Sequence, residues 1–385
     1  MLLIILALEI IVATRPWYSD DRPGPSWDIA AILIVLAFSA AGFGLQQWQG
    51  HKMRLAQFVT PFGEVRHTIN EKLETKLDGI ATLRIENGNG QVQVKRADQE
   101  TVKVEVEITA TADTLQAAEK LALDVDLRLQ QDGQKLAFVP SLPAVTGQQN
   151  VVVNVSVTVP DRALAYEIFS QFGAVETDGL TGSLRVEDRN GPVTVNNNHG
   201  AVAVASSFGN VRVKGVEGDL SIQAGNGTTE ADQVSGTAVV RSSFGRVELR
   251  NVTGRAEIEA KNGGVLANDI KGDLVITSSF GSAEIANPGR QVTVKSENGS
   301  ITVVSSDAPR QRYDLQTKFG SVRVRLPKGS DIDVDASSDF GKVEMPVPAS
   351  IVREGNRTTA RLSIGSGGPL ITLRSENGNV TVEYR

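Results

Sequence analysis

The chain has 385 residues, 40% of them hydrophobic and 5% aromatic, with 37 glycines, no cysteine and a net charge of −6. That length admits two or three domains with a sizeable core. The missing cysteines exclude disulfides, a thiol nucleophile and cysteine-ligated zinc, and the absence of a basic surplus argues against a nucleic-acid partner.

Residues 1–50 read as a membrane anchor. The apolar run that starts at Ile29 carries no charge between Asp28 and His51, and Trp27 and Trp48 flank it, so a bilayer-spanning helix is expected over 29–47. Residues 1–14 are apolar but short and carry Glu9. They suit either the first helix of a membrane hairpin or the tail of a span that begins upstream of Met1. Arg15 and Arg22 lie before the main span, and Lys52, Arg54 and Arg66 after it. That count slightly favours a cytoplasmic C-terminal side.

Residues 51–80 are polar and read as a stalk, partly helical around Ile69–Leu77. From Ala81 the pattern becomes strict alternation, with Leu83, Ile85, Val92 and Val94 on either side of Asn87-Gly88-Asn89-Gly90, which predicts strand, turn, strand. Val102–Ile108 continues as a strand. A helix is expected at about 114–125, with Leu115, Ala118, Leu121 and Val125 on one face. Segments 127–129, 135–139 and 151–159 supply further strands. Residues 81–160 are thus a small β-rich lead-in domain carrying one helix.

Residues 161–385 are repeats. Phe172-Gly173, Asn190-Gly191, Phe208-Gly209, Asn226-Gly227, Phe244-Gly245, Asn262-Gly263, Phe280-Gly281 and Asn298-Gly299 follow one another every 18 residues. A second glycine series, Gly182 to Gly272, runs between them. The fold class expected is all-β: a β-solenoid or β-helix of stacked coils, each with two short strands and two glycine turns. An 18-residue coil, with Phe and Asn alternating up one corner, is preferred over a 36-residue coil with separate ladders. Parity carries Leu220, Ile222 and Ala224 inward and continues to Asn226, so the Phe and Asn corner residues are expected inside. Handedness is not legible. The last pair, Ile371–Leu373 and Val380–Val382, reads as a closing hairpin.

Chemistry is sparse. His51, His67 and His199 have no second ligand at metal spacing, and His199 reads as a solvated turn residue. No nucleophile elbow, phosphate loop or dinucleotide fingerprint is present. The outward acids Glu217, Asp219, Glu230, Asp232, Glu248, Glu257 and Glu259 are interleaved with Arg212, Lys214, Arg241, Arg246, Arg250, Arg255 and Lys261. That suits a mixed solvated surface better than a carboxylate pair. The Asp series of calcium-binding nonapeptide repeats is missing after Gly225-Asn226-Gly227-Thr228. No catalytic residue, metal site or cofactor is assigned, and no enzymatic activity is expected.

The segment 83–108, VSVTVPDRA at 155–163, and the Gly218-Asp219-Leu220 and Gly272-Asp273-Leu274 units resemble the bacterial putative-adhesin β-strand-repeat family over about 80–385. The resemblance implies a cell-envelope protein with an extracytoplasmic repeat domain behind a membrane anchor, and it carries no catalytic set. The expected function is an adhesin-like or structural binding module. Its partners would be the bilayer and a cell-surface, polysaccharide or protein ligand on a solenoid face, with a homo-oligomer left open. The alternatives are a polymerising or stress-sensing scaffold on the cytoplasmic side and a carbohydrate-active β-helix enzyme.

Overall fold

A computed structural model describes residues 64–347 and 349–385. The unit is visible in the strands Leu220–Asn226 and Thr229–Val234. Leu220, Ile222 and Ala224 are buried from the first strand, and Thr229, Ala231 and Val234 from the second. Neither strand can bury such a row alone, so coils stack. Val202 pairs with Leu220 and Leu220 with Ala238, all parallel, while Val211 pairs with Thr229 in the same sense. Each coil is therefore 18 residues and gives one strand to each of two sheets, one 15-stranded and one 16-stranded. The apolar rows of the two sheets meet in one continuous core.

Two backbone columns make the coil close. At the corners, neighbouring coils touch backbone to backbone: a Cβ added at Gly209, where φ is +132°, would lie 1.9 Å from the Gly191 carbonyl oxygen. The second column is a left-handed kink in the 15-stranded sheet. Asn197, Gln233, Asn251, Asp269 and Asn287 have φ of 50–61° and stand 18 residues apart with Gly179 and Gly215. Asn, Asp and Gly tolerate this conformation best, and the ladder is tied by Asn251 Nδ2 donating to Asp232 Oδ1 at 2.7 Å.

The N-terminal end is closed by antiparallel strands. Val65–Lys76 pairs with Thr101–Ala112, which pairs with Asn150–Val159. The expected partial helix at Ile69–Leu77 is therefore corrected to a strand: Val65, His67, Ile69 and Leu73 alternate with exposed polar residues, a period-2 pattern that pairing against Thr101–Ala112 selects. The helix forms at Leu115–Leu123, with Thr114 Oγ1 accepting the Ala117 N–H at 3.2 Å. It buries Ala118, Leu121 and Ala122, while Leu115 stays exposed.

The C-terminal end departs from chain order. Leu370–Asn377 inserts between Tyr313–Phe319 and Ile332–Ser338, parallel to both, and Val380–Tyr384 pairs with Val322–Leu326 in the other sheet. The expected closing hairpin is thus corrected: its two strands lie in different sheets and form a penultimate coil. The cap is antiparallel, made by Arg357–Ile364 on Ile332–Ser338 and by Ser350–Glu354 outside it. The outer strands are blunted, by charge in Val65–Lys76 and by a length of two residues at Val343–Glu344, which discourages edge-to-edge growth.

No helix among the described residues is long and apolar enough to cross a membrane. The anchor expected over 1–50, with spans at 29–47 and 1–14, lies outside the described residues, as do His51 and the stalk before residue 64.

Candidate functional site

The corner column is where the surface departs from an ordinary solvated sheet. In space its residues run Asn89, Phe172, Asn190, Phe208, Asn226, Phe244, Asn262, Phe280, Asn298, Phe319, Asn377, Phe340. Successive members from Phe172 to Asn377 are paired directly. At the two ends, Gly90 N donates to Phe172 O at 2.8 Å and Phe340 N donates to Glu376 O at 2.9 Å. The alternation breaks in sequence, where Phe340 precedes Asn377, yet it is unbroken in space because the C-terminal coil slides in between.

The phenylalanines point outward, which corrects the expectation that corner residues lie inside. Their exposures run from 53% at Phe172 to 65% at Phe340. Parity fails because pairing passes from Ser206 directly to Phe208, and both Ser207 and Phe208 face water. The strand has already begun to turn there, and the narrow interior ends at Ser206. The asparagines lie flatter and half-buried: Asn190 Nδ2 donates to Gln171 O at 3.2 Å and Asn262 Nδ2 to Ser243 O at 3.2 Å. A small polar side chain is tucked down at one level and a large apolar one stands out at the next, the inverse of what burial alone would choose.

Just inside this column runs a buried polar one. Thr317, Ser375 and Ser338 donate to the corner carbonyls of Gly299, Gly320 and Gly378 at 2.9, 2.8 and 2.7 Å. Asp188 occupies the same column between Ser170 and Ser206 and is 3% exposed. Burial pushes its carboxyl up to about 6, against the opposing pull of the Ser170 hydroxyl. Neither carboxylate oxygen has a protein hydrogen-bond partner of good geometry. Where this column bonds the corner carbonyls it does so as a donor, a role a neutral carboxylic acid can fill and a carboxylate cannot. A groove of about 850 Å3 runs beside these first rungs, lined among others by Arg84, Leu142, Asp188 and Phe208.

The outward acids are partnered. Glu230 pairs with Arg212 on the adjacent coil at 3.1 Å, Glu248 with Arg246 and Arg250 at 2.9 and 2.6 Å, Glu257 with Arg255 at 3.3 Å and Glu259 with Arg241 at 3.5 Å. Asp219 accepts the Thr237 N–H at 2.7 Å, and Asp232 is held by Asn251. His199 stands half-exposed at the opposite turn with Nδ1 2.8 Å from Glu217 Oε2. No group of three or more metal-ligating side chains occurs among the described residues.

Residues 80–383 match the family model described as Toastrack DUF4097. The chain belongs to the Toastrack family. No curated protein matches it. Solved structures similar to this Toastrack chain include a putative cell adhesion protein from Clostridium sporogenes, 11% identical, with a TM-score of 0.20 over 83% of this chain and 100% of that one. Two others are a putative adhesin from Bacteroides fragilis (15%, TM-score 0.33, 66% and 97% covered) and one from Parabacteroides distasonis (14%, 0.30, 83% and 97%). At these TM-scores the likenesses settle neither fold nor function. The Toastrack match spans the lead-in domain as well as the repeats, and the corner ladder is read from this chain's own geometry.

Proposed function

We propose that this protein is a non-enzymatic binding module of the bacterial cell envelope, adhesin-like, anchored through residues 29–47 with its solenoid outside the cytoplasmic membrane. The observation that carries this reading is the corner ladder. Six phenylalanines stand half-exposed or more in one column of the stack, and exposed apolar arrays of this order mark contact surfaces. Each rung is a weak contact, and the stacked coils fix their spacing, so affinity accumulates along the ladder. Pairing of the outward carboxylates with neighbouring cations and amides supports a solvated face rather than a catalytic one.

Protease treatment of intact cells tests the placement: digestion of the repeats before lysis is expected, and protection until lysis would overturn it. Replacing Phe208, Phe244 and Phe280 by Ser tests the surface. Loss of cell-surface contact is expected with the β-sheet circular dichroism unchanged.

A further inference from the structure

The ladder has a spacing, a parity and a rung count, and together they describe its partner. Parallel strands stack about 4.8 Å apart, so rings on alternate coils stand roughly 10 Å apart. Aromatic pairs interact at centroid separations of about 4.5–7 Å. Rings on every coil would therefore stack on one another along the edge. Rings on alternate coils cannot, and each pair leaves a slot about one ring wide. The floor of the slot is an asparagine held down on the preceding coil, as Asn226 Nδ2 is by Ser207 O at 3.4 Å. The rim is low beside the central phenylalanines, where Ser207, Ser243 and Ser279 precede them, and charged beside the asparagines, where Arg189, Lys261 and Glu297 do.

A ring entering every slot must come from a partner with the same two-coil pitch. A second copy of this chain has that pitch by construction. The rung count then selects the orientation. Counting from Asn89 to Phe340 there are twelve rungs, Asn on odd and Phe on even. Turned end for end and fully overlapped, one ladder sets rung 1 against rung 12, so odd always meets even. Phe172 falls opposite the partner's Asn377, Phe208 opposite Asn298 and Phe244 opposite Asn262. Side by side in the same direction, Phe would meet Phe and the slots would stay empty.

We infer that the corner ladder is a homophilic zipper, in which two antiparallel copies of this chain interdigitate the phenylalanines of each into the asparagine slots of the other. The inference rests on reading the ladder as the contact surface. The two-fold axis passes between the Phe244 and Asn262 rungs and makes the interface isologous. Each ring is at least half-exposed, so six of them supply on the order of 500–700 Å2 per copy, approaching the roughly 800 Å2 per partner of a standard stable interface.

The test uses the full chain in mild detergent, with mass read by density-matched sedimentation equilibrium. A dimer at micromolar concentration is expected, and the Phe208→Ser/Phe244→Ser/Phe280→Ser variant should dissociate at least a hundredfold more readily. The register is read independently, because the chain has no cysteine. Phe172→Cys mixed with Asn377→Cys should crosslink on oxidation, and neither variant should crosslink with itself. A monomeric wild type, or Phe172→Cys crosslinking to itself, overturns the zipper. A monomer whose cell-surface or polysaccharide binding still depends on the phenylalanines sinks the homophilic partner alone. If the serine variant alters neither mass nor binding, the contact-surface reading falls with it.

Discussion

Asp188 is the residue whose environment most contradicts its chemistry. Its folded-state carboxyl sits at about 6 against an ordinary 3.8, so the fold favours the neutral form. Above pH 6 both folded and unfolded chains are ionised there, and the folded one bears the desolvation. As pH falls from 6 towards 4 the folded chain takes up its proton first and recovers stability. Asp188→Ser, which copies Ser170 and Ser206 in the same column, should therefore stabilise the protein at pH 8, by up to about 3 kcal/mol. The advantage should vanish near pH 4, as thermal melts at the two pH values will show. A second residue is strained in the backbone. Gln233 holds φ of 61° in a column otherwise filled by Asn, Asp and Gly, so Gln233→Gly should raise stability by about 0.5–1 kcal/mol in a denaturant melt. Neither residue stood out in the sequence. Asp188 follows the inward parity of Leu184 and Val186, but a carboxylate in that row reads as a surface residue until the stack closes around it. The left-handed column shows in the sequence as Asn197, Asn251 and Asn287 at multiples of the 18-residue period, a weaker signal than the glycines.

At the scale of the element, the period was legible and the ends of elements were not. Alternation at Leu220, Ile222 and Ala224 gave the buried row, and the glycine series gave both turns and favoured the 18-residue coil over a 36-residue one, which the strand pairing then decided. What parity could not give was the point where a strand stops being a strand. One residue of turn at Ser207 put every corner phenylalanine on the opposite side from its predicted one. The segment Val65–Lys76 failed for the complementary reason. Its polar sequence has no strong local preference, and pairing with Thr101–Ala112 decides its form. The glycine corner itself admits a direct test. At Gly227, with φ of +126°, an added Cβ would stand 2.2 Å from the Gly209 carbonyl oxygen. Gly227→Ala must then push the adjacent coils apart or flatten the corner, and a loss of at least 3 kcal/mol is expected in thermal or denaturant melts.

Over the whole molecule, stability is a sum over coils and their interfaces, and that makes the ladder editable without unfolding it. Deleting residues 228–263, two 18-residue units, keeps Asn and Phe alternating and leaves an even number of rungs. Deleting 228–245, one unit, puts Asn226 next to Asn262 and leaves an odd number. Both shortened chains should retain β-sheet circular dichroism and melt cooperatively. Both should still dimerise in sedimentation equilibrium, because every phenylalanine still meets an asparagine. The one-unit deletion moves the two-fold axis onto Asn262, so Asn262→Cys should crosslink to itself in that deletion and not in the full chain, and the reverse would count against parity as the determinant of pairing.

The rethreaded coil adds a constraint of another kind, in time. Rungs are synthesised in one order and stacked in another, since Leu370–Asn377 lies beneath Ile332–Ser338 although it is made after it. As the chain emerges from a ribosome or a translocation pore, coils can be laid down in succession only as far as Tyr313–Phe319 and Val322–Leu326. The strands that will seal the stack must then wait, already made but without their final support. Closure comes in a single late step, when residues 370–384 arrive and slot into place. A chain cut short anywhere before them keeps an open, unpaired end, which quality-control proteases are equipped to find.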